Sequence, residues 1–553
     1  MKLIEKTFYK LLIPSLLMVF AVSISEFVDA MIVAHLLGST AMAIVNLANP
    51  IMLLSSAIGT LIACGGSVIY TNEIGSHRQD EASRTYSLSI VVSIVLILLV
   101  SAVLMISFNA VHSFLCNDDP QLMALSSDYI KVLILSIPII TVVNVIIMFL
   151  PSAGNMNMGA ALIILANVVN LAMDVVFIKV FNMGVPGAAI ATLIGYTVSL
   201  VIFFILRALG KINLKAAGIG FSDLRKKIAS IFSMGSSSAL TQLSFAIKFA
   251  FCNAAALRFG GKEGLVALTV CLQLLSIASI FVGGISSSML RTTAFLKGQN
   301  DYASIRTIGK KSYILQLVCS LVLMVLFFSF PQSVASMFNV THPEEMKLTA
   351  GALRIFSLCL VFRGLYVTFM FYVQALGKSL YASVISLSDG FVLVIPVVLV
   401  LCHFMGLDGL WWSFPVVSVL LFVSIILWNV HLTGRHPDKY SGIILSELDT
   451  EAQELLNWSG TVTSCNVGEV CLAIPDESCR GTVNEYFTEI LRNGGSGKVK
   501  AEILYRRCGE RTVVELRSDG GEACPSQLQS TDNLSIKKDF SLGMNTLQIL
   551  SVH

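Results

Sequence analysis

Charged residues are scarce in this sequence: Asp, Glu, Lys and Arg make up 13% of its 553 residues, whereas hydrophobic residues make up 55%. The mean hydropathy of +0.80 is too high for a soluble protein of ordinary composition. The net charge of +3 is small and gives no indication of a nucleic-acid partner. The composition therefore predicts a polytopic membrane protein whose surroundings are the lipid bilayer.

The sequence also lacks the cysteine patterns of metal centres and redox motifs. Its twelve cysteines are scattered, with no CxxC motif and no metal-ligand spacing. We expect reduced structural thiols, no bound metal and no organic cofactor. A small-residue cleavage site is missing as well, because the basic residues 1–10 run directly into an apolar segment. We therefore expect the N-terminus to begin a first membrane helix and not a removable signal.

Long apolar runs, by contrast, are abundant. Since about 20 apolar residues cross a bilayer, we predict twelve spans in an all-α membrane region. They lie near residues 12–36, 45–71, 87–108, 125–150, 160–181, 186–207, 231–257, 265–290, 312–331, 349–376, 381–404 and 409–433.

The basic residues orient these spans, because loops rich in Lys and Arg stay in the cytoplasm. They concentrate near residues 2–10, 78–84, 211–227 and 297–311, all on one side of the predicted membrane. We therefore predict a multi-pass protein of the cell membrane with both termini cytoplasmic.

The basic loop 208–228 is expected to separate two six-helix lobes, residues 1–207 and 229–435. Each lobe has glycines in its second span, followed by a long basic loop. Such a correspondence indicates an internal repeat with a central site, as in many transporters.

An acid stands inside the fifth predicted span. Asp174 follows Asn170 by four residues, so on a helix the two side chains share a face about one turn apart. A carboxylate at membrane depth costs roughly 2.5–3.5 kcal/mol on insertion scales, and such groups are by default proton or ion sites. The pair is therefore a candidate cation-coupling site. The alternative is a structural acid satisfied by neighbouring helices.

The motifs around this pair resemble the MATE (multidrug and toxic compound extrusion) transporters. Asn170-x-x-x-Asp174 followed by Gly184-Val-Pro-Gly187 looks like the fifth and sixth helices of that family, in which the acid belongs to the cation-coupling site. The resemblance covers about residues 8–433, with further matching motifs at Pro14, Val28-Asp29, Asn49-Pro50, Tyr372–Lys378 and Gly409–Trp412. It implies export of an organic, usually cationic compound in exchange for H⁺ or Na⁺ by alternating access between two lobes.

The resemblance also implies roles for other polar residues of the first half. Asp29, in the first span, stands where the family has an acid that joins Asp174. Two close carboxylates cannot both ionise at low cost, so one takes up a proton or Na⁺ bridges them. Glu26 shares a helical face with Asp29, and a functional and a structural role are both open for it. Asn144 and Thr192 are candidate oxygen ligands, or they bond a neighbouring helix.

The second half has basic residues inside its spans. Lys248, Arg363 and Asp389 lie in the seventh, tenth and eleventh spans and are candidate residues of a substrate cavity. Some branches of the resembled family have an acid in the seventh helix, so Lys248 is a departure that favours coupling through the N-terminal lobe. Two interpretations of Lys248 are open: it pairs with Asp389, or it biases the cavity toward anionic or zwitterionic substrates.

Residues 437–553 have the composition of a soluble domain, and we predict a cytoplasmic α+β fold. VNEYFTEILRN and the closing LGMNTLQIL are expected to be helices, and VKAEILYRR and RTVVELRS are expected to be strands.

Two glycine-containing segments of this tail, residues 518–521 and 541–545, resemble the ATP-binding domain of histidine kinases and anti-sigma-factor kinases. The resemblance places Asp519 and Gly543 in the glycine boxes, Glu485 at a helix acid, and Glu489 where an Mg²⁺-binding Asn is expected. With that ligand missing we expect no phosphoryl transfer. A degenerate regulatory or scaffolding module would bind a regulatory protein or a nucleotide; the alternative is a domain that binds no nucleotide.

Taken together, these features predict a secondary-active exporter of small organic molecules, not an enzyme, with H⁺ or Na⁺ as the coupling ion. Two alternatives are open. A flippase for lipid-linked oligosaccharides would have large basic patches in its cavity. A membrane-anchored sensor that signals through the tail would have an intact ATP site there.

Overall fold

A computed structural model describes residues 3–37, 44–45, 48–116, 120–212, 214–218, 224–299, 301–338, 343–435, 456–463, 483, 498–508, 511–518, 534–541 and 544–552. Up to residue 435 the described chain consists of helices joined by short connections. The sequence predicts this arrangement, because apolar runs of this length satisfy their backbone groups inside a membrane only as helices.

The bounded helices in the described part of the first half are six long ones and one short one. They are α1 (Leu3–Leu37), α2 (Asn49–Gly75), α3 (Gln79–Ile106), the short α4 (Phe108–Cys116), α5 (Pro120–Phe149), α6 (Met156–Val175) and α7 (Val185–Ala208). The last turn of α6 widens into a π-helix, Val176–Val180.

The second half begins with two helices that meet at a glycine. Residues Leu224–Gly298 form two helices joined at a kink, where Gly261 has φ 57° and ψ −149°, a conformation that is essentially restricted to glycine. This residue divides α8 (Leu224–Gly261) from α9 (Glu263–Gly298). The remaining helices are α10 (Tyr302–Ser329), α11 (Pro331–Met337), α12 (Pro343–Ser357), α13 (Cys359–Ala375), α14 (Ser379–Leu387), α15 (Val394–Met405) and α16 (Leu407–Arg435), with a π-helix, Ser388–Val392, between α14 and α15.

The helices confirm a multi-pass membrane protein. Among the described residues, eleven helical segments are long and apolar enough to cross a membrane, and the pair α12 and α13, bent by 41°, passes the same test as one broken span. Counting that pair gives the twelve predicted spans. The predicted spans overlap these helices throughout; the largest differences are at the start of α10, Tyr302 where residue 312 was predicted, and at the start of α1, Leu3 where residue 12 was predicted.

The two halves approach closely where α2 packs against α8 and α9. Gln242 on α8 donates to Ser56 on α2 at 3.1 Å, and Lys227 lies 3.5 Å from Glu73 nearer the end of α2. Beyond it, the Ser76 hydroxyl donates to the carbonyl of Gly298 at 3.0 Å. Contact between the halves therefore runs from the middle of α2 to its C-terminal end, on the side of the basic loops.

In the described part of the tail, five strands form one antiparallel sheet in the order β1-β2-β3-β5-β4. They are β1 (Leu456–Thr463), β2 (Lys498–Cys508), β3 (Arg511–Ser518), β4 (Leu534–Ser541) and β5 (Met544–Val552). The segments predicted as strands coincide with β2 and β3. The predicted helix VNEYFTEILRN lies outside the described residues except for Val483.

The prediction of a closing helix was wrong, because LGMNTLQIL contributes the strand β5. This strand pairs with β3 on one side and β4 on the other, so that Leu547 faces the buried Leu516 and Ile549 faces Val514. Leu, Met and Gln favour a helix in isolation, but pairing on both edges and burial against neighbouring strands decide the structure of such a segment.

Candidate functional site

The predicted acid of the first half is buried at the C-terminal end of α6. Asp174 has 0% exposure and Asn170, one turn earlier, has 6%. The π-helix Val176–Val180 begins two residues after Asp174, and such widened turns recur at functional sites because they change the backbone hydrogen bonding locally. The acid therefore lies inside the protein and not against lipid.

Thr192 on α7 lies beside Asn170 on α6. The Asn170 amide donates to the Thr192 hydroxyl at 3.2 Å, and that hydroxyl donates to the carbonyl of Ala188 at 3.1 Å. Gly195 on α7 allows this approach, because a Cβ there would collide with the carbonyl of Ala166 on α6. With its N–H donating to Thr192, the amide oxygen of Asn170 is oriented away from that bond.

Helix α1 packs along α6, and this contact fixes the depth of Asp29. The Asn167 amide donates to the carbonyl of Ala21 at 3.1 Å. As first and fifth spans, α1 and α6 cross the membrane in the same direction. Asp29 is about 12 Å beyond Ala21, and Asp174 is about 10.5 Å beyond Asn167, at 1.5 Å per residue. The two acids are thus at nearly the same depth on adjacent helices.

The other candidates of the first half are less closely placed. The side chains of Asp29 and Glu26 lie outside the described residues, although the backbone of both belongs to α1. Asn144 is half-buried on α5, and in the described part of the chain no hydrogen bond joins it to Asn170, Asp174 or Thr192. Asn167 was missed by the sequence analysis. It precedes Asn170 by three residues and Asp174 by seven, a spacing that places all three on one helical face.

The three predicted polar residues of the second half, Lys248, Arg363 and Asp389, form one cluster that is largely buried. The Lys248 ammonium lies 3.0 Å from the Asp389 carboxylate and also donates to its backbone carbonyl at 3.0 Å. Arg363 contacts the same carboxylate at 3.2 Å, and the Tyr366 hydroxyl donates to it at 2.7 Å. The structure thus pairs Lys248 with Asp389, the first of the two alternatives above. Tyr366 was missed because a lone tyrosine in an apolar helix gives no signal.

Backbone geometry brings Lys248 and Asp389 together. Asp389 lies in the π-helix Ser388–Val392, the counterpart in the eleventh span of the widened turn in the fifth. Gly390, next to it, touches α8 so closely that a Cβ would collide with Ser244. Another buried cation, Arg291 on α9, donates to Ser15 on α1 at 3.1 Å and was also missed.

A cavity of about 170 Å³ opens beside this cluster. Arg363, Tyr366 and Asp389 form its polar wall, and most of the remaining lining is apolar, including Leu275, Val282, Val367, Met370 and Phe371. In the part of the chain that the structure describes, no three His, Cys, Asp or Glu side chains converge as a transition-metal centre requires.

The two clusters differ in what they can do chemically. Asp389 already has a lysine, an arginine and a tyrosine as partners, so a resident ammonium occupies the position that a mobile cation would take. In the first half, Asp174 lies one turn from the Asn170 amide, which donates to the Thr192 hydroxyl. The oxygens of these two groups are neutral and can coordinate a cation or accept a hydrogen bond.

The nucleotide-like residues of the tail, Glu485, Glu489, Asp519 and Gly543, lie outside the described residues. The five-stranded sheet neither supports nor opposes their assignment.

Comparison with known families gives a match in both halves of the chain. The MatE family model matches residues 14–176 and 237–400. Two curated relatives are the multidrug export protein MepA of Staphylococcus saprophyticus subsp. saprophyticus, 22% identical over 384 residues, and that of Staphylococcus haemolyticus, 22% identical over 387 residues. Each alignment covers 69% of this chain and 84% of the relative.

Solved structures show the same fold. An outward-facing multidrug resistance MATE family transporter of the MOP superfamily superposes with a TM-score of 0.72 at 20% identity, covering 80% of this chain and 97% of the other. The MATE transporter VcmN of Vibrio cholerae superposes with a TM-score of 0.73 at 20% identity, covering 78% and 97%.

Proposed function

The chain belongs to the MatE family of transporters, which are not enzymes, and from this membership we propose that it is a secondary-active exporter of organic compounds. Inward movement of H⁺ or Na⁺ at Asp174 would drive outward movement of the compound by alternating access. The multidrug export proteins among its relatives support this choice of cargo. Beyond the coupling ion, no cofactor is needed.

The observation that carries the proposal is the fully buried acid of α6. Asp174 lies one turn from an amide that is itself bonded to Thr192. Binding of a cation there would stabilise one conformation and binding of the compound the other, as a linked exchange cycle requires. Because Lys248 already neutralises Asp389, we assign coupling to the N-terminal lobe.

Everted membrane vesicles test the function directly. A fluorescent organic dye should accumulate in them when a proton or sodium gradient is imposed. Accumulation should stop when an ionophore collapses that gradient. Accumulation that persists without either gradient would contradict secondary-active transport.

We further propose that residues 1–207 and 229–435 act as the two lobes and that their contact at the ends of α2 and α9 is the cytoplasmic gate. The contact is reciprocal: a Cβ on Gly75 would collide with the carbonyl of Phe295, and one on Gly298 with the carbonyl of Asn72. Glycine is thus required twice, at corresponding positions of the second span of each lobe. An inward-facing state requires this contact to open.

Replacing Gly298 by Ala is expected to hold the gate partly open. Overpacking of this kind costs about 1–3 kcal/mol, so the closed state should lose about tenfold in population relative to the open one. Export should fall accordingly. Cys64, buried on α2 between the lobes, should react faster with an impermeant maleimide applied to everted vesicles, as measured by mass spectrometry.

Gly351→Ala is the matched control, because nothing lies within 4 Å of a Cβ at that exposed helical position of α12. It should leave export and the reactivity of Cys64 unchanged. If Gly298→Ala behaves like this control, the glycine contact does not open during transport.

We propose that residues 437–553 form a cytoplasmic domain that transport does not require, with a regulatory protein or a nucleotide as its partner. All the described spans end by Arg435, so the coupling site and its supporting helices are complete without the tail. A chain ending after Arg435 should retain gradient-driven export within about twofold, since it loses no contact that we assign to coupling.

The truncated chain is compared with the full-length protein at equal abundance in the membrane. The full-length protein should show no Mg-ATP turnover above that of the truncated chain. A truncated chain that reaches the membrane but does not transport would contradict the proposal and favour a sensor that signals through its tail.

A further inference from the structure

The buried cluster of the second half carries more positive than negative charge. Lys248 and Arg363 face a single carboxylate, that of Asp389, and no other acid lines the adjoining cavity in the described part of the chain. Lys248 lies well inside α8 and Asp389 well inside the eleventh span, and Arg363 lies within the broken span formed by α12 and α13. Among the described residues these two cations share one carboxylate, and a cation at this depth attracts a further anion.

Arg363 is the cation with unused donors. Among the described residues its hydrogen bonds, to both carboxylate oxygens of Asp389 and to the Tyr366 hydroxyl, all run through Nη1. A guanidinium has five N–H donors in a planar fork, and two parallel bonds from one edge match a carboxylate. Lys248, by contrast, is directed at Asp389 through both of its bonds.

The cavity gives an anion access to this guanidinium. The Arg363 and Asp389 side chains are 18% and 16% exposed, whereas that of Lys248 is 5% exposed. A volume of about 170 Å³ is close to that of an engineered apolar cavity of about 150 Å³ that admits benzene. An aromatic ring carrying one carboxylate therefore fits both the volume and the mainly apolar lining.

We propose that this cavity is a binding site for the carboxylate of a compact aromatic acid or zwitterion, with Arg363 as its direct partner. Asp389 would stay bonded to Lys248 and Tyr366, while the unused edge of the guanidinium takes the ligand. This inference rests on the proposed export function, because it identifies the ligand of the site as the exported compound. An exporter with such a site takes compounds that carry a carboxylate, and not simple cations alone.

The test is ligand-induced thermal stabilisation of the purified full-length protein. Sodium benzoate should raise the unfolding temperature in a concentration-dependent way. Benzamide, which has the same ring and no charge, should not, and neither should sodium chloride at matched ionic strength. An equal response to benzamide or to chloride, or no response to benzoate, would overturn the proposal.

Two charge-removing variants locate the effect. Arg363→Gln should weaken the benzoate response by about tenfold or more, the loss expected when a charged hydrogen bond is removed. Arg354→Gln makes the same change at an exposed position of α12 and should respond like the wild type. A benzoate response that survives Arg363→Gln would contradict the assignment.

Asp389→Asn changes the response in the opposite direction. It removes the competing carboxylate, so benzoate should bind more tightly and restore part of the stability that the variant loses. A weaker response than that of the wild type would count against the proposal. If this variant cannot be purified, the comparison of Arg363→Gln with Arg354→Gln still decides. The binding test uses no gradient, so it is independent of transport. Absence of export together with intact benzoate binding would contradict only the proposed transport function. Intact export without benzoate binding would contradict only the carboxylate site.

Discussion

Replacing Asp174 by Asn is expected to abolish gradient-driven export while leaving the abundance of the protein in the membrane unchanged. The change removes the titratable charge and keeps the size of a side chain that is fully buried in α6. Without a titratable group to take up the ion, the driven rate should fall to the rate measured without a gradient. Dye accumulation in everted vesicles measures it.

The control is Asp128→Asn, which makes the same chemical change on α5 at a side chain that is 82% exposed. It should export at the wild-type rate. If Asp174→Asn shows undiminished gradient dependence, the coupling ion binds elsewhere and the assignment is wrong.

Asp29 and Asp174 are expected to behave as one site. Their positions along α1 and α6, measured from the bond between Asn167 and Ala21, place them at nearly the same depth on neighbouring helices. Asp29→Asn should therefore lose nearly all driven export by itself, and the double variant should be no worse than either single variant. Residues that share one function show such strongly non-additive effects.

Glu26→Gln serves as the comparison for Asp29→Asn, since it neutralises an acid one turn earlier on the same helix. Wild-type export in this variant would assign Glu26 a structural role. For the shared site, the contradicting result is a pair of single variants that keep substantial activity and losses that multiply in the double variant.

The spans were predictable because their signal is local: twenty apolar residues must form a helix in a membrane, whatever their neighbours are. The spacing of Asn170 and Asp174 is an equally local signal. Asn167 lies on the same helical face, so the same spacing could have identified it. The strand β5 was predicted as a helix because its sequence favours one, and only the flanking strands β3 and β4 decide otherwise.

What the sequence could not give depends on contacts between distant segments. Gly195 and Gly390 are ordinary glycines in the sequence, yet each is the place where a neighbouring helix touches backbone. The two π-helices, Val176–Val180 and Ser388–Val392, have no sequence signature that the analysis of apolar spacing could detect. The contact between Tyr366 and Asp389 and the cavity beside Arg363 likewise exist only in the assembled helices.

Exchange of a cation for an organic compound at Asp174 can be measured with the purified full-length protein in sealed liposomes. Ion movement and dye movement are recorded together, with a pH or sodium gradient as the sole source of energy. We expect one of the two gradients to drive the dye against its own concentration difference, and the dye in turn to drive that ion. Asp174→Asn should abolish both movements. Dye movement that is independent of either gradient, or coupled exchange that survives Asp174→Asn, would contradict exchange at this residue.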